Sequence, residues 1–249
     1  ESFLVLFFKK EHPFLELLLL ALGAAAAGFV QGLTGFAFAL VSMAFWAWVL
    51  PPEIAAPLVV ACSLLGQLVA GRRTWAGFRS PAVWPFLAGG LVGVPLGTWV
   101  ILPRIDPVQF RLGLGLFLVL WCPAMLFAAR LPPLRWGGRG ADAMAGWIGG
   151  ILGGIGGMSG PVPSLWANLR RWEKDAQRAL FQAFNTTMHT LSLAAMAAGG
   201  IITTRSAQLF LLAAPCMVLP ALAGARLYAR ISEVAVRRLV LALLWVAGS

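Results

Sequence analysis

Four polar side chains are spaced at helical intervals in an apolar stretch of the second half of the chain. They are Gln182, Asn185, Thr186 and His189, at i, i+3, i+4 and i+7, so they share one face of a helix. In a membrane, such a face must meet protein or water, because hydrocarbon cannot satisfy polar groups. Amide and hydroxyl groups can donate hydrogen bonds to an oxyanion, and a histidine can also take part in proton coupling. The pattern therefore predicts a polar binding face.

Two glycine-rich stretches are expected to lie opposite this face. The longer one, residues 149–163, has the sequence GGILGGIGGMSGPVP, and residues 28–35 match residues 153–160 at three glycines, with Thr34 on Ser159. Each glycine costs about 1 kcal/mol relative to alanine inside a helix, so this density needs another reason. The available reasons are close helix packing and a bend where the backbone faces a ligand.

We expect helix interruptions at residues 31–34 and 158–163, each followed by a new helix. The start of a helix presents free backbone N–H groups and the positive end of its dipole. Thr34 and Ser159 are placed to cap these helices or to donate to a ligand oxygen. All nine Asp and Glu residues lie near segment ends or before the first segment. The site therefore favours a small anion.

The candidate substrate-binding residues come from both interruptions, from the polar face and from its weaker counterpart in the first half. They are Gln31, Gly32, Thr34, Gly35, Ser63, Gln67, Ser159, Gly160, Gln182, Asn185, Thr186 and His189. Each has a structural alternative, since Ser, Thr, Asn and Gln often join membrane helices by hydrogen bonds, and glycines spaced by four often mark helix crossings. A hydrogen-bonded histidine is as common as a titrating one.

The sequence predicts no enzyme and no bound cofactor or metal. The glycine stretch lacks the Lys-Ser/Thr ending of a phosphate-binding loop, and no Ser-His-Asp set, HExxH motif or carboxylate pair is present. The three cysteines lie in apolar segments without metal-ligand spacing. Coupling to H⁺ or Na⁺ stays open, because backbone carbonyls can hold sodium without a carboxylate.

Composition predicts a multi-pass membrane protein. Of 249 residues, 60% are hydrophobic and 11% are charged, which is far more apolar than a soluble domain. The net charge of +10 does not indicate nucleic-acid binding, because the basic residues lie in or beside short connections. Most of them fall on one side of the expected topology, which predicts that this side is cytoplasmic and that both termini are periplasmic.

The apolar segments suggest two inverted repeats, each a broken or re-entrant helix pair plus three spanning helices. We expect the first repeat at residues 1–130, a connecting loop at 131–141 and the second repeat at 142–249. Several residues near the ends of the two halves are identical at one fixed interval, including Arg104 with Arg230. An odd number of crossings per half inverts the second repeat. The expected segments are 14–30, 35–50, 54–71, 81–102 with a kink at Pro95, 108–128, 143–157, a short run to 169, 175–199, 206–228 and 234–247.

The chain resembles the TauE/SafE sulfite exporter family, also called the four-toluene sulfonate uptake permease family. The resemblance rests on GFVQGLTGFAFALV near the start, PPEIAAPLVVACSLLGQL after it, and GILGGIGGMSGPVP in the second half. It implies duplicated halves and a secondary transporter of the bacterial inner membrane, with sulfite, sulfonates or related anions as substrates. The second motif departs from the commoner pattern at Met158, Pro161 and Pro163.

From this resemblance and the residues together, we expect an exporter or importer that works by alternating access. The expected partners are a small anionic substrate and the lipid bilayer, and a homodimer is compatible with this interpretation. The alternatives are an anion channel, a carrier of short carboxylates, and a membrane-embedded enzyme or scaffold.

Overall fold

A computed structural model describes residues 13–70, 77–128, 132–134 and 136–228, and the regular structure in these ranges is helical. The expected last helix, 234–247, lies outside the described residues. The helices are α1 (Pro13–Thr34), α2 (Phe38–Trp46), α3 (Pro52–Ala70), α4 (Trp84–Pro95), α5 (Pro107–Ala128), α6 (Gly138–Gly156), α7 (Pro161–Leu169), α8 (Lys174–Ala198) and α9 (Thr204–Tyr228).

Within the described ranges, five helical segments are long and apolar enough to cross a membrane. They lie in α1, in α3, in α4 with its continuation to Arg104, in α5 and in α9. Large apolar side chains such as Leu112, Leu116 and Leu219 are exposed on the outer helices, as expected for a surface in contact with lipid. The protein is an all-α, multi-pass membrane protein.

A helical hairpin forms at each glycine stretch, where the sequence predicts a broken or re-entrant helix pair. α1 and α2 are antiparallel, since Trp46 at the end of α2 donates its indole N–H to the carbonyl of Leu20 near the start of α1. α6 and α7 are antiparallel in the same way, with Trp166 bonded to Asp142. At 1.5 Å per residue, the nine residues of α2 or α7 extend about 14 Å, roughly half of the hydrocarbon thickness.

The bends of these hairpins differ in position from the predicted interruptions. Residues 31–34 belong to α1, and the first break covers residues 35–37; the second break covers residues 157–160. Gly35 (φ 84°) and Gly157 (φ 72°) take the left-handed conformation that ends a helix most easily at glycine. The two left-handed glycines are therefore Gly35 and Gly157, whereas the match of residues 28–35 with residues 153–160 sets Gly35 on Gly160.

Two helix pairs form the most extensive contacts of the fold: α1 with α9, and α4 with α6. At Gly32, a side chain would begin 2.1 Å from the carbonyl oxygen of Ala221. At Gly93, it would begin 2.2 Å from the carbonyl oxygen of Trp147. Part of the glycine content therefore serves close helix packing, which was the plain alternative at the sequence level.

The kink expected at Pro95 is a change of helix type. The α-helical part of α4 ends at Pro95, and the chain continues as a π-helix over Leu96–Ile101 and a short 3-10 turn over Leu102–Arg104. Pro95 lacks the N–H that would continue the regular pattern. α6 begins at Gly138, within the range 131–141 that the sequence assigns to the connecting loop.

The connections cluster at two opposite ends of the bundle. At one end, which we call the basic end, Leu134 bonds to Leu169 and Gly77 packs on Ala179. At the other end, Leu102 packs with Met196. The described arginines at the basic end are Arg79, Arg139, Arg170, Arg171, Arg178 and Arg226, against Arg104, Arg111 and Arg205 at the other.

Candidate functional site

The first break is held by the hydroxyl group of Thr34. Its Oγ1 donates to the carbonyl of Val30 at 2.9 Å and accepts from the backbone N–H groups of Phe36 (3.3 Å) and Ala37 (3.2 Å). Thr34 therefore caps the bend, which is one of the two roles expected for it from the sequence. The N–H groups of Phe36 and Ala37 are occupied in this conformation.

The second break has a different arrangement, because Pro161 and Pro163 lie in the first turn of α7. Proline has no backbone N–H, so this turn offers fewer donors than a helix start usually does. Ser159 does not cap α7: its Oγ donates to Asn185 Oδ1 at 2.7 Å and lies 3.4 Å from His189 Nε2. The second break is thus joined to α8 by side chains.

The two breaks meet inside the protein. The Phe36 Cβ atom lies 2.8 Å from the position where a side chain at Gly160 would begin, and Asn185 Nδ2 lies 3.0 Å from the same point. The Phe36 ring packs edge-on against Trp121 and Phe181. Gly160 therefore allows the close approach of the two hairpins.

Helices α3 and α8 each hold the carbonyl oxygen of one left-handed glycine. Gln67 of α3 donates its Nε2 hydrogen to the carbonyl of Gly35 at 2.6 Å. His189 of α8 lies with its Nε2 atom 2.9 Å from the carbonyl of Gly157. A carbonyl oxygen only accepts, so His189 Nε2 is the donor. Gln67 and His189 thus bind protein backbone.

Ser63 and Asn185 lie between the two breaks. In α3, Val60 contacts Gly157 of the second break, whereas Gln67 bonds Gly35 of the first, so Ser63 lies between them along the helix. In α8, Asn185 lies midway between Phe181, which packs on the first break, and His189, which bonds the second.

Both residues are buried and carry polar atoms without a hydrogen-bond partner in the described part of the chain. Ser63 is 1% exposed and Asn185 is 0% exposed, and the atoms in question are Ser63 Oγ and Asn185 Nδ2. Ser159 donates a hydrogen bond to the side-chain oxygen Oδ1 of Asn185, so the side-chain N–H₂ group of Asn185 is the part that remains free. An unpaired buried donor costs about 1–3 kcal/mol, so these atoms are suited to a polar ligand.

The remaining candidates have mixed positions. Gln31 donates its Nε2 hydrogen to the backbone carbonyl of Ser63 at 2.8 Å. Its Oε1 atom has no hydrogen-bond partner in the described part of the chain, and neither has Thr186 Oγ1. Gln182 is buried. Gly32 packs on α9 through the contact given above, so the structure assigns it a packing position rather than one between the breaks.

The charges of the described residues agree with a site for an anion. Asp142 is the buried carboxylate of this part of the chain, and it pairs with Arg170 at the basic end. No cluster of His, Cys, Asp or Glu suited to a metal ion occurs within the ranges described. Sequence reasoning missed Phe36, although an aromatic residue after the glycine of a predicted bend is a usable signal for packing at its tip.

The comparisons with known proteins give one positive result. The family model for the sulfite exporter TauE/SafE matches residues 20–249, which is nearly the whole chain. Neither curated proteins nor solved structures gave a match. The resemblance inferred from the glycine motifs is confirmed, and this chain belongs to the TauE/SafE sulfite exporter family.

Proposed function

We propose that the protein is a secondary transporter that moves sulfite or a small sulfonate across the bacterial inner membrane by alternating access. Membership of the family implies a transporter of sulfur-containing anions rather than an enzyme. One observation carries the proposal. The free polar atoms of Ser63 and Asn185 lie on two helices, between the breaks of two hairpins that enter the bundle from opposite ends. This arrangement resembles the midplane sites of transporters with broken helices and inverted repeats.

In this proposal, the oxyanion accepts hydrogen bonds from Ser63 Oγ and Asn185 Nδ2. Hydroxyl and amide donors suit the oxygens of sulfite or a sulfonate, and the absence of a facing carboxylate among the described residues avoids repulsion. Backbone N–H groups of the breaks add donors when the hairpins move. Movement of one hairpin against the other would then expose the anion to one end or the other, which is alternating access in an inverted repeat.

Ser63→Ala is the sharpest test, because it removes a hydroxyl that has no hydrogen-bond partner in the described structure. We expect the melting temperature without substrate to be unchanged or higher, since no bond within the protein is lost and a buried, unpaired hydroxyl is removed. Affinity for the anion should fall about tenfold, the equivalent of one hydrogen bond of about 1.4 kcal/mol. Asn185→Ala should weaken binding further but also removes the acceptor of Ser159.

The measurements are thermal-shift titrations of purified protein and flux into proteoliposomes. The ligands are sulfite, methanesulfonate, sulfate, acetate and chloride, and bound ligand raises the melting temperature. Ser42→Ala serves as the control, because Ser42 is buried and bonds only within α2. Unaltered affinity in both Ser63→Ala and Asn185→Ala would refute the site. Saturable flux driven by a proton or sodium gradient supports a carrier, whereas unsaturable flux indicates a channel, and stabilisation by acetate alone indicates a carboxylate carrier.

A further inference from the structure

We propose that His189 is a positioning residue equivalent to Gln67, and that it acts as a hydrogen-bond donor to the second break without carrying a proton during transport. A buried histidine in a transporter invites a role in proton coupling. The contacts of its ring indicate another role. This inference concerns how the breaks are built, and it applies to any anion that the protein carries.

The two contacts have the same spacing along the chain. Gln67 follows the glycine that it binds by 32 residues, and His189 follows its own glycine by the same interval. In both cases the donor is an Nε2 atom, the acceptor is the carbonyl oxygen of a left-handed glycine, and the donor is buried. The side chains differ, but the bond they make is the same.

The packing of glycines around these contacts repeats in the same register. A side chain at Gly28 would begin 2.5 Å from the carbonyl oxygen of Met217 on α9, and a side chain at Gly150 would begin 2.5 Å from the carbonyl oxygen of Gly90 on α4. One turn later, Gly32 and Gly154 make the matching approaches to the carbonyls of Ala221 and Val94.

This register makes α1 equivalent to α6, and the spacing of 32 residues makes α3 equivalent to α8. Gln67 and His189 then occupy equivalent positions. The same register pairs Ser63 with Asn185, one turn earlier on each helix.

The groups within hydrogen-bonding distance of the imidazole ring are neutral. Its hydrogen-bonding neighbours are the carbonyl of Gly157 and the hydroxyl of Ser159, and Nδ1 has no partner in the described structure. No carboxylate or basic side chain of the described residues is bonded to the ring. A proton route would need a series of such groups leading to and from the ring. A hydrogen bond to the Gly157 carbonyl needs only the N–H on Nε2.

The decisive experiment replaces each donor with the other and with a residue that cannot donate. His189→Gln and Gln67→His retain an N–H donor at the end of the side chain, and His189→Leu and Gln67→Leu remove it. We expect His189→Gln to transport at a rate close to that of the original protein with the same dependence on pH. His189→Leu should lose about tenfold in rate or affinity, as the loss of one buried hydrogen bond predicts.

A spectroscopic measurement separates this inference from the identity of the substrate. In ¹⁵N-labelled protein, the His189 ring should show hydrogen on Nε2 and an unprotonated Nδ1, and the signal is assigned by comparison with His189→Gln, since the chain has 2 histidines. The melting temperature of His189→Gln should exceed that of His189→Leu even if no tested anion is carried. Loss of the pH dependence of transport in a folded His189→Gln protein, or a ring with hydrogen on Nδ1 alone, would overturn the inference. So would failure of both exchange variants to fold.

Discussion

Asp142 shows how a single buried charge can fix one hairpin. Its Oδ1 accepts from Trp166 Nε1 at 2.7 Å and from Arg170 at 2.6 Å, which joins the start of α6 to the end of α7. The Asp142 side chain is 7% exposed and the Arg170 side chain 24%. Removing one partner of a pair with this much protection from water leaves the other poorly solvated, which costs more than breaking a surface pair.

Asp142→Asn should lower stability while leaving the shape of the side chain unchanged. The amide can still accept from Trp166, but it no longer neutralises Arg170, and we expect a loss of about 1–3 kcal/mol. Glu16→Gln is the matched control, because Glu16 pairs with the 56% exposed side chain of Arg205, and exposed pairs contribute at most about 1 kcal/mol. Thermal unfolding in detergent compares the two. Equal losses would contradict the assignment of Asp142 as the stronger contact.

The residue types of the candidate site could be read from the sequence, but their partners could not. The helical spacing of Asn185 and His189 placed them on one buried face, and both lie there. Thr34 and Ser159 seemed equivalent, yet one caps a bend and the other bonds a neighbouring helix. The difference arises because the second break is one residue longer and is followed by prolines, which changes what a side chain at its end can reach.

At the scale of helices, the glycines are of two kinds: some bend the chain, and others allow a neighbouring helix to pack closely. The sequence shows both kinds as the same letter, because a bend and a close crossing both exclude a side chain. Gly157 is of the first kind and Gly93 of the second. The order of helices could be predicted from hydropathy, whereas the position of each break depends on which glycine takes the left-handed conformation, and this is decided by tertiary contacts.

Gly93→Ala and Gly113→Ala should change stability in opposite directions. The side chain of an alanine at position 93 would begin 2.2 Å from a backbone oxygen of α6. The two helices must therefore separate, at a cost of about 1–3 kcal/mol. Gly113 lies on the exposed side of α5 with open space around it, so alanine should add up to about 1 kcal/mol through helix propensity. Melting temperatures of both variants in the same detergent test this contrast. Stabilisation by Gly93→Ala would refute the close packing of α4 on α6.

For the whole molecule, the two hairpins decide how the chain crosses the membrane. A hairpin that returns to its own end adds no net crossing, so each half keeps an odd number of crossings if the last helix spans as predicted. This agrees with the observed grouping, in which the connections before α4, α6 and α8 share the basic end. An inverted duplication is the simplest origin for such a pattern, and we propose it here on the repeated glycine contacts.

The orientation of the molecule gives the last prediction. Basic residues concentrate at the cytoplasmic side of membrane proteins, so the basic end should face the cytoplasm. The test uses a variant without native cysteines, with Cys62, Cys122 and Cys216 replaced by alanine, and with one cysteine at a time introduced at exposed Ala82 or Thr204. Ala82 lies before α4 at the basic end, and Thr204 begins α9 at the other. In intact bacterial cells, a membrane-impermeant maleimide should label Thr204→Cys and leave Ala82→Cys unlabelled until the membrane is permeabilised. The reverse pattern would invert the topology, and labelling of both from outside would contradict a membrane separating these ends.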